Sequence, residues 1–280
     1  MNVLLTGCNG FVGINMLNKI LTDTSWNVIC FIHKNVNNIP KNVTQINNLE
    51  DCNVKLDIII HIGGNPSSRS CIENPVSAFN DNILFTFKLL EYARNNKVNK
   101  FILFSSCEVY GDAIESSSEI DVLKSYNMYA ASKVSCEHML SAYCYSYGIV
   151  GLSIRLLNSY GPYCQKERFP SIILDMFEKN DNPHFNLNTY TKKRWINIED
   201  VVIKVIFMIE NIKNYTYDVF NFVGNDNLYL HEFIEKLSGN KKFTYEYFIK
   251  DDIKGYHHEA NANGDKLINF INTINYYLLL

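Results

Sequence analysis

The 280-residue chain lacks several features that would assign it to a specialised class of protein. No apolar run approaches the roughly 18 residues of a transmembrane helix, so we expect no membrane span. Lysine and arginine number 26 against 29 acidic residues, and this net charge of −3 argues against a dedicated nucleic-acid binder. The first six positions contain no basic residue, which is untypical of a secretory signal.

The eight cysteines include no C-x-x-C pair and have no histidine at zinc-ligand spacing, so we expect no metal site. With no secretory signal, we predict reduced, mostly buried thiols and a cytoplasmic protein. The content of hydrophobic residues, 47%, and of aromatic residues, 13%, is ample for a packed core and argues against disorder. We find no internal repeat, low-complexity tract or obvious linker.

Short apolar runs alternate with helical patterns over the first 160 residues. Strands are predicted at 2–6, 26–32, 56–62, 101–104 and 149–157, and helices at 11–21, 75–95 and 125–147. Nearly continuous apolar strands separated by helices indicate an α/β fold, a doubly wound parallel (Rossmann) sheet. We therefore predict a dinucleotide-binding domain over 1–160. A smaller C-terminal substrate-binding lobe should cover 161–280, with segments near 195–223 returning to the core.

The first predicted strand and helix are joined by a glycine-rich turn. Gly7, Gly10 and Gly13 have the spacing G-x-x-G-x-x-G, and Phe11 and Val12 open the helix. Glycine lets the backbone approach a pyrophosphate closely, and the helix N-terminus offers free N–H groups. This context predicts a dinucleotide-binding loop, and the alternative is that the glycines only form a tight turn.

The end of the second predicted strand bears on which dinucleotide is bound. An acidic residue usually holds the adenosine ribose there, but this chain has His33 and Lys34 after Ile32. Lys34, helped by His33, can meet the 2′-phosphate of NADP(H), which is the favoured cofactor. NAD(H) remains possible if Lys34 is a solvated loop residue.

Several later segments match one family's motifs in the right order. The chain resembles extended short-chain dehydrogenases/reductases, specifically the NAD(P)-dependent nucleotide-sugar epimerase/dehydratase family. The matching segments are FSSCEVYG at 104–111 ("SSxxVYG"), YAASK at 129–133 ("YxxxK"), NSYGP at 158–162 ("NxYGP"), RWINIEDV at 194–201 ("RDFIYVDDV") and VFNFVG at 219–224 ("xYNxG").

The resemblance implies a catalytic group of Ser106, Tyr129 and Lys133. Tyr129 and Lys133 are four residues apart on one helix, so their side chains share a face. We expect the ammonium of Lys133 to lower the phenol pKa from its ordinary value of about 10, which suits a general acid/base. Glu108 either assists chemistry beyond hydride transfer, as in similar dehydratases, or only accepts backbone N–H groups. Its neighbour Cys107 is a poor acid for expelling water.

The resemblance also implies binding residues outside the catalytic group. The cofactor is expected to contact the end of the 56–62 strand, together with Tyr129 and Lys133. The substrate is expected to be held by one asparagine and by one or both of two adjacent cations, which are otherwise a solvated pair. These further binding residues are Ile62, Gly63 and Gly64 for the cofactor, and Asn158, Lys193 and Arg194 for the substrate.

The expected activity is hydride transfer to or from C4 of a nucleotide-linked hexose, most simply as a 4-keto-sugar reductase. The alternatives are an NAD-dependent 4-epimerase and then a 4,6-dehydratase or decarboxylase. A dinucleotide-binding scaffold without activity is the remaining hypothesis, although such a protein would be expected to lose Tyr129 or Lys133. Surplus apolar positions on the helices at 75–95 and 125–147 predict a homodimer, unless the C-terminal helix folds back over them.

Overall fold

The computed structural model describes residues 1–33, 39–111, 116–187, 192–212, 215–248 and 261–278. The strands are β1 Asn2–Thr6, β2 Asn27–Phe31, β3 Thr44–Ile46, β4 Ile58–His61, β5 Lys100–Ser106, β6 Val150–Leu156, β7 Ser159–Tyr160, β8 His184–Leu187, β9 Lys192–Arg194, β10 Ile196–Asn197, β11 Tyr217–Phe222, β12 Asn227–Tyr229 and β13 Thr244–Tyr247. The helices are α1 Phe11–Asp23, α2 Ser68–Glu73, α3 Pro75–Ala78, α4 Phe85–Asn95, α5 Met128–Tyr147, α6 Phe169–Lys179, α7 Ile198–Asn211, α8 Leu230–Ser238 and α9 Asp265–Leu278.

Seven strands form one parallel sheet in the order β11-β6-β5-β4-β1-β2-β3. The strand order reverses at β1, which lies between β2 and β4. Ligands of doubly wound folds bind in the crevice outside the carboxyl ends of the strands at such a switch point. The predicted Rossmann architecture is therefore confirmed, and it places the glycine-rich turn at this crevice.

Helices cover both faces of the sheet because its strands are apolar on both sides. On one face α1 and α7 pack against alternate strand residues such as Leu5 and Ile60. On the other face α4 and α5 pack against the intervening residues such as Leu4 and Ile59. Later segments of the chain also contribute to this core, because α7 packs beside α1 and β11 pairs with β6.

The C-terminal part builds a second, smaller core from α6, α8, β8 and β13. Phe177, Phe185 and Phe233 are buried there, and Phe233 stacks on Trp195 with ring centroids 4.0 Å apart. Within the described residues no helix is both long and apolar enough to cross a membrane. All eight cysteines are free thiols, and six of them are buried.

The helix predicted at 75–95 is interrupted in the structure. An additional helix, α2, precedes it, and Asn74 separates α2 from α3 because the residue before a proline disfavours helical geometry. The Asn74 side chain accepts a hydrogen bond from the Ser77 backbone N–H and so begins α3. A π-helical turn at Phe79–Leu84 then joins α3 to α4.

Candidate active site

The glycine-rich turn between β1 and α1 is shaped to receive a ligand closely. Gly7 has φ +73°, and a Cβ there would lie 2.8 Å from the Gly63 backbone nitrogen. A Cβ on Gly13 would lie 1.9 Å from the Gly7 carbonyl oxygen, so only glycine lets α1 pack against the turn. The first turn of α1 contains no acidic residue, and its free N–H groups suit an anion. These residues fit a dinucleotide pyrophosphate.

One cavity of about 570 Å³ crosses the carboxyl ends of the strands. Most of the site residues expected from the sequence line it. Gly13 lies outside the lining, behind the turn, and Lys34 lies outside the described residues. The expected residues that do line the cavity are Gly7, Gly10, Phe11, Val12, His33, Ile62, Gly63, Gly64, Ser106, Glu108, Tyr129, Lys133, Asn158 and Lys193.

His33 closes the β2 end of the cavity within a small aromatic cluster. Its ring meets Phe31 at 5.1 Å and Phe85 at 5.0 Å between centroids, both edge to face. Phe31 and Phe85 line the cavity as well. The imidazole thus stands where relatives of this fold use an acidic residue for the ribose.

Tyr129 and Lys133 are both buried on α5, each only 8% exposed, and both line the cavity. The Lys133 Nζ donates to the Phe104 carbonyl oxygen at 2.9 Å and lies 5.8 Å from the centre of the Tyr129 ring. Ser106, at the end of β5, hydrogen-bonds to Tyr129. The expected catalytic group is therefore brought together at one point.

The expected lowering of the Tyr129 pKa by Lys133 is not found. Burial and then the charge of Glu108 raise the pKa of Tyr129, while the hydrogen bond from Ser106 and the charge of Arg168 oppose that rise. Burial also lowers the pKa of Lys133. The reason is desolvation, which disfavours the charged form of both groups. Burial therefore favours the neutral phenol of Tyr129 over the phenolate.

A 3₁₀ turn at Cys107–Tyr110 follows β5, and its first two side chains lie in different surroundings. The Ser106 Oγ accepts from the Glu108 backbone N–H at 3.2 Å and begins the turn. The Cys107 thiol is buried and donates to the Arg155 carbonyl oxygen at 3.2 Å. Glu108 instead lines the cavity, so it is the acidic side chain of this turn that faces the cavity.

His61 anchors the strand end that borders the cavity. The Thr6 Oγ1 accepts from the Gly63 backbone N–H at 2.9 Å and stands 2.7 Å from His61 Nδ1. His61 Nε2 lies 2.9 Å from Thr86 Oγ1, which donates in turn to the Asn82 carbonyl oxygen. Burial, with the charge of Lys133, lowers the pKa of His61 to about 3. This neutral imidazole fixes the backbone around Gly63.

The two adjacent cationic residues that were expected to bind substrate, Lys193 and Arg194, have different surroundings. Lys193 lines the cavity, whereas the Arg194 guanidinium donates to the carbonyl oxygens of Gly224 and Asn225 at 3.3 and 2.9 Å. Successive side chains of a strand point to opposite faces, and both residues lie on β9. The structure thus puts Lys193 in the cavity wall, whereas Arg194 holds the backbone of residues 224 and 225. Asn158 also lines the cavity, with its amide donating to the Arg194 carbonyl oxygen at 3.1 Å.

The lining residues that were not expected from the sequence include Ser68, Phe85, Gln165 and Arg168. Arg168 precedes α6, and its guanidinium carbon lies 5.8 Å from the centre of the Phe11 ring. Ser68 begins α2, which was not predicted at all. Each reaches the cavity from an element distant in sequence, so no local pattern marks it.

The chain belongs to the NAD-dependent epimerase/dehydratase family, whose model matches residues 3–222. Among its relatives, an uncharacterised protein of Methanocaldococcus jannaschii is 28% identical over 86% of this chain and 82% of its own length. The dTDP-D-glucose 4,6-dehydratase of Dictyostelium discoideum is 26% identical over 71% of this chain. The chain spans only 53% of that dehydratase's length.

Solved structures share the fold over almost the whole chain. Pal from Bacillus thuringiensis superposes with a TM-score of 0.82 at 23% identity, covering 97% of this chain and 93% of that one. The UDP-glucose 4-epimerase of Thermus thermophilus, solved in complex with NAD, gives a TM-score of 0.79 at 21% identity, covering 96% and 93%. These likenesses agree with the α/β architecture described above, and the family is one of enzymes acting on nucleotide sugars.

Proposed function

We propose that the protein transfers a hydride between a nicotinamide cofactor and C4 of a nucleotide-linked hexose. One observation carries this proposal: Ser106, Tyr129 and Lys133 converge in the cavity that the glycine-rich turn also lines. A proton donor, a hydroxyl partner and a buried cation beside a dinucleotide cradle suit alcohol–ketone chemistry. Purified protein incubated with a panel of nucleotide sugars and cofactor should change absorbance at the reduced-nicotinamide band.

Each residue of the group has a separate task in the proposed reaction. When bound, the cofactor donates or accepts the hydride at C4. In the reductive direction the Tyr129 hydroxyl gives its proton to the C4 oxygen, and Ser106 donates a hydrogen bond to the same oxygen. The ammonium of Lys133 stabilises the phenolate that remains. The oxidative direction reverses these proton movements.

As the net reaction we favour reduction of a 4-keto sugar with NADPH. Support comes from the end of β2, where His33 stands in place of an acidic residue. The sequence from residue 32 to residue 38 contains no aspartate or glutamate. Release of the cofactor after each turnover suits such a reductase. Protein purified without added nucleotide should then carry no cofactor and bind NADPH more tightly than NADH.

The second candidate is NAD-dependent 4-epimerisation. It is favoured by the structural likeness to the Thermus thermophilus UDP-glucose 4-epimerase, which was solved with NAD. An epimerase must oxidise C4, turn the keto sugar and reduce its other face, and so it retains its cofactor. Extraction of NAD from the purified protein would favour this reaction over net reduction.

Dehydration across C5 and C6 receives less support from the site. Similar dehydratases use a residue next to the Glu108 position as an acid for the leaving hydroxyl. Here that residue is Cys107, whose thiol faces the Arg155 carbonyl and whose pKa is raised by burial. No proton donor is therefore supplied from this position.

The diphosphate of the substrate is proposed to bind at the open side of the cavity. Lys193, Arg168 and Asn158 all line this part, and the two cations match the charge of a diphosphate. Arg194, which holds the backbone of Gly224 and Asn225, would support the strand that presents Lys193.

A homodimer is proposed through the outer faces of the α3–α4 segment and α5. Phe79, Phe87, Tyr145 and Tyr147 are 42–72% exposed on these faces. The C-terminal helix α9 was the alternative element that could cover these apolar faces. It packs on β11 instead, with the centre of its Phe270 ring 5.5 Å from that of Phe220. Light scattering at micromolar concentration should give twice the chain mass of 32.4 kDa, and a monomer mass would exclude the dimer.

A further inference from the structure

A buried side-chain amide joins α1 to a segment far along the chain. Asn15 lies on α1, one turn after Phe11, and is only 7% exposed. Its side-chain nitrogen donates to the Phe11 carbonyl oxygen and to the Pro162 carbonyl oxygen, each at 2.8 Å. Pro162 follows Asn15 by 147 positions, so the second hydrogen bond fixes two distant parts of the fold against each other.

The segment that Asn15 holds is the connection between β7 and α6, residues 161–168, here called the β7–α6 loop. Gln165 and Arg168 on this loop line the cavity. The Arg168 backbone N–H donates to the Gln165 carbonyl oxygen at 3.0 Å, and that of Cys164 donates to the Gly161 carbonyl oxygen at 3.3 Å. These two short turns make the loop compact, so a hydrogen bond at its second residue helps to position Arg168.

The β7–α6 loop meets α1 at a second point. The Arg168 guanidinium carbon lies 5.8 Å from the centre of the Phe11 ring. Phe11 is the first residue of α1, directly after Gly10, and it lines the cavity. Arg168 is exposed, and a cation over an aromatic ring contributes little at an exposed site. The buried, directional hydrogen bond from Asn15 is therefore the firmer of the two contacts.

The two sides of this connection serve different ligands in the proposed reaction. The first turn of α1 fits the pyrophosphate of the cofactor, and Arg168 is proposed to bind the diphosphate of the nucleotide sugar. Two sites are coupled when binding at one reduces the ordering that binding at the other still requires. By linkage, the coupling factor is the same whichever ligand binds first.

We propose that Asn15 is a positioning residue that fixes the β7–α6 loop on α1, so that cofactor and nucleotide diphosphate bind cooperatively. The proposal rests on the function proposed above, in which Arg168 binds the substrate diphosphate. Asn15 lies outside the cavity lining and acts through its hydrogen bond to Pro162. Cofactor bound at the start of α1 holds the loop in place, and the loop then presents Arg168 with less ordering left to occur.

Calorimetry with UDP, dTDP and GDP tests this coupling, with and without a saturating amount of the reduced cofactor that wild type binds more tightly. In wild type, the cofactor should tighten binding of the best of these diphosphates about tenfold. Asn15→Leu has a similar volume but no donor, and its coupling factor should fall below about twofold. The affinity for cofactor alone should change much less, because the glycine-rich turn is unaltered.

Asn15→Ser isolates the hydrogen bond that spans the two parts. A serine hydroxyl has a single hydrogen, which can keep the bond to the carbonyl oxygen four residues earlier but cannot also serve Pro162. This variant should therefore lose the coupling as well, and it makes the same test if Asn15→Leu does not fold.

Asn211→Leu is the matched control. The Asn211 side chain donates to the Phe207 carbonyl oxygen at 2.8 Å, the same bond within a helix that Asn15 makes to Phe11. Asn211 lies at the end of α7, outside the cavity lining, and its replacement should leave the coupling factor unchanged. An undiminished coupling factor in the Asn15 variants, or an equal loss in Asn211→Leu, would overturn the proposal.

Amide hydrogen exchange separates this proposal from the proposed function, because it requires no substrate. Cofactor should slow exchange in the β7–α6 loop of wild type and should not do so in the Asn15 variants. A protein that binds cofactor but no nucleotide diphosphate would contradict the proposed function, while exchange in the loop would still test the role of Asn15. If cofactor leaves the loop of wild type unprotected, or protects it equally in the variants, the proposal fails by itself.

Discussion

The two sides of the cavity differ in how firmly they are built. On the sheet side, Tyr129, Lys133 and His61 are at most 8% exposed and belong to α5 and β4. On the lobe side, Lys193 is half-buried, and Arg168 lies exposed between β7 and α6. The proposed proton and hydride transfer needs fixed geometry, which rigid elements supply. The diphosphate proposed to bind at the edge of the cavity would be met by long, adaptable cationic side chains.

Ion pairs differ in the same way between the two sides: the pair near the sheet is buried and the pair on the lobe is exposed. Arg155 on β6 and Glu137 on α5 form a buried ion pair at 2.7 Å, and Arg155 also donates to the Tyr110 hydroxyl. On the lobe, the pair of Lys179 and Asp175 at 2.7 Å is more than half exposed. A pair screened by water contributes little, whereas breaking a buried one leaves an uncompensated charge. The comparison predicts large effects on the sheet side and small ones on the lobe.

The largest effect is expected at Tyr129. Tyr129→Phe removes only the transferable proton, so kcat should fall about 10²–10⁴-fold while cofactor affinity stays nearly constant. Steady-state kinetics and cofactor titration measure the two quantities separately. Tyr145→Phe, on the exposed face of the same helix, is the control and should retain full activity. If Tyr129→Phe kept more than about a tenth of wild-type activity, its assignment as proton donor would be wrong.

The buried ion pair should dominate stability. Glu137→Gln leaves the Arg155 charge unpaired and should cost about 3–5 kcal/mol in the free energy of unfolding, measured with urea. Replacing both residues by methionine should recover most of that loss. Asp175→Asn, at the exposed pair on α6, should leave the unfolding midpoint close to wild type. Equal losses at the two pairs would remove the distinction between the two sides.

His61 should make the fold sensitive to acid. Its folded pKa of about 3 lies below its unfolded value of 6.5, so the unfolded chain binds the extra proton first as the pH falls. Stability should therefore drop by about 3 kcal/mol between pH 7 and pH 4 from this residue alone. His61→Gln should flatten that part of the stability–pH curve, whereas His184→Gln at an exposed site should not. An unchanged slope in His61→Gln would show that other groups govern acid unfolding.

On the lobe side, Lys193→Ala should raise KM for the nucleotide sugar about tenfold and leave kcat within about twofold, since a tenfold change corresponds to only ~1.4 kcal/mol. Lys192→Ala is a close control, because the neighbouring ammonium lies over the Tyr229 ring and outside the cavity lining. A fall in kcat without a change in KM would place Lys193 in the chemical step.

The smallest effect is expected in the choice of cofactor. Wild type should prefer NADP(H), and Lys34→Asp or His33→Asp should narrow or reverse that preference by about tenfold, equivalent to ~1.4 kcal/mol. Titration with both reduced cofactors measures the ratio of affinities. A wild-type preference for NAD(H) would refute both the role of Lys34 and the favoured reductase reaction.

Local sequence patterns predicted those site residues whose positions depend only on the geometry of their own turn or helix. The glycine spacing at 7, 10 and 13 and the four-residue interval of Tyr129 and Lys133 depend on the geometry of one turn and one helix. Such features are independent of distant packing, and the structure brings all of these residues to one crevice except Gly13, which packs behind the turn. Pairing of β8 with β13 had no comparable signal, because these strands lie about 60 residues apart.

The amino-acid sequence by itself determined the alternation of strands and helices, the glycine-rich turn and the helical spacing that places Tyr129 and Lys133 on one face. Tertiary structure alone decided that Lys193 rather than Arg194 enters the cavity, and that Asn15 meets Pro162. It also decided that burial raises the pKa of Tyr129, where the sequence had predicted a lowering by Lys133. Those outcomes depend on which face of a strand is covered, on contacts between elements far apart in sequence, and on how much water burial removes, none of which is a local property of the chain.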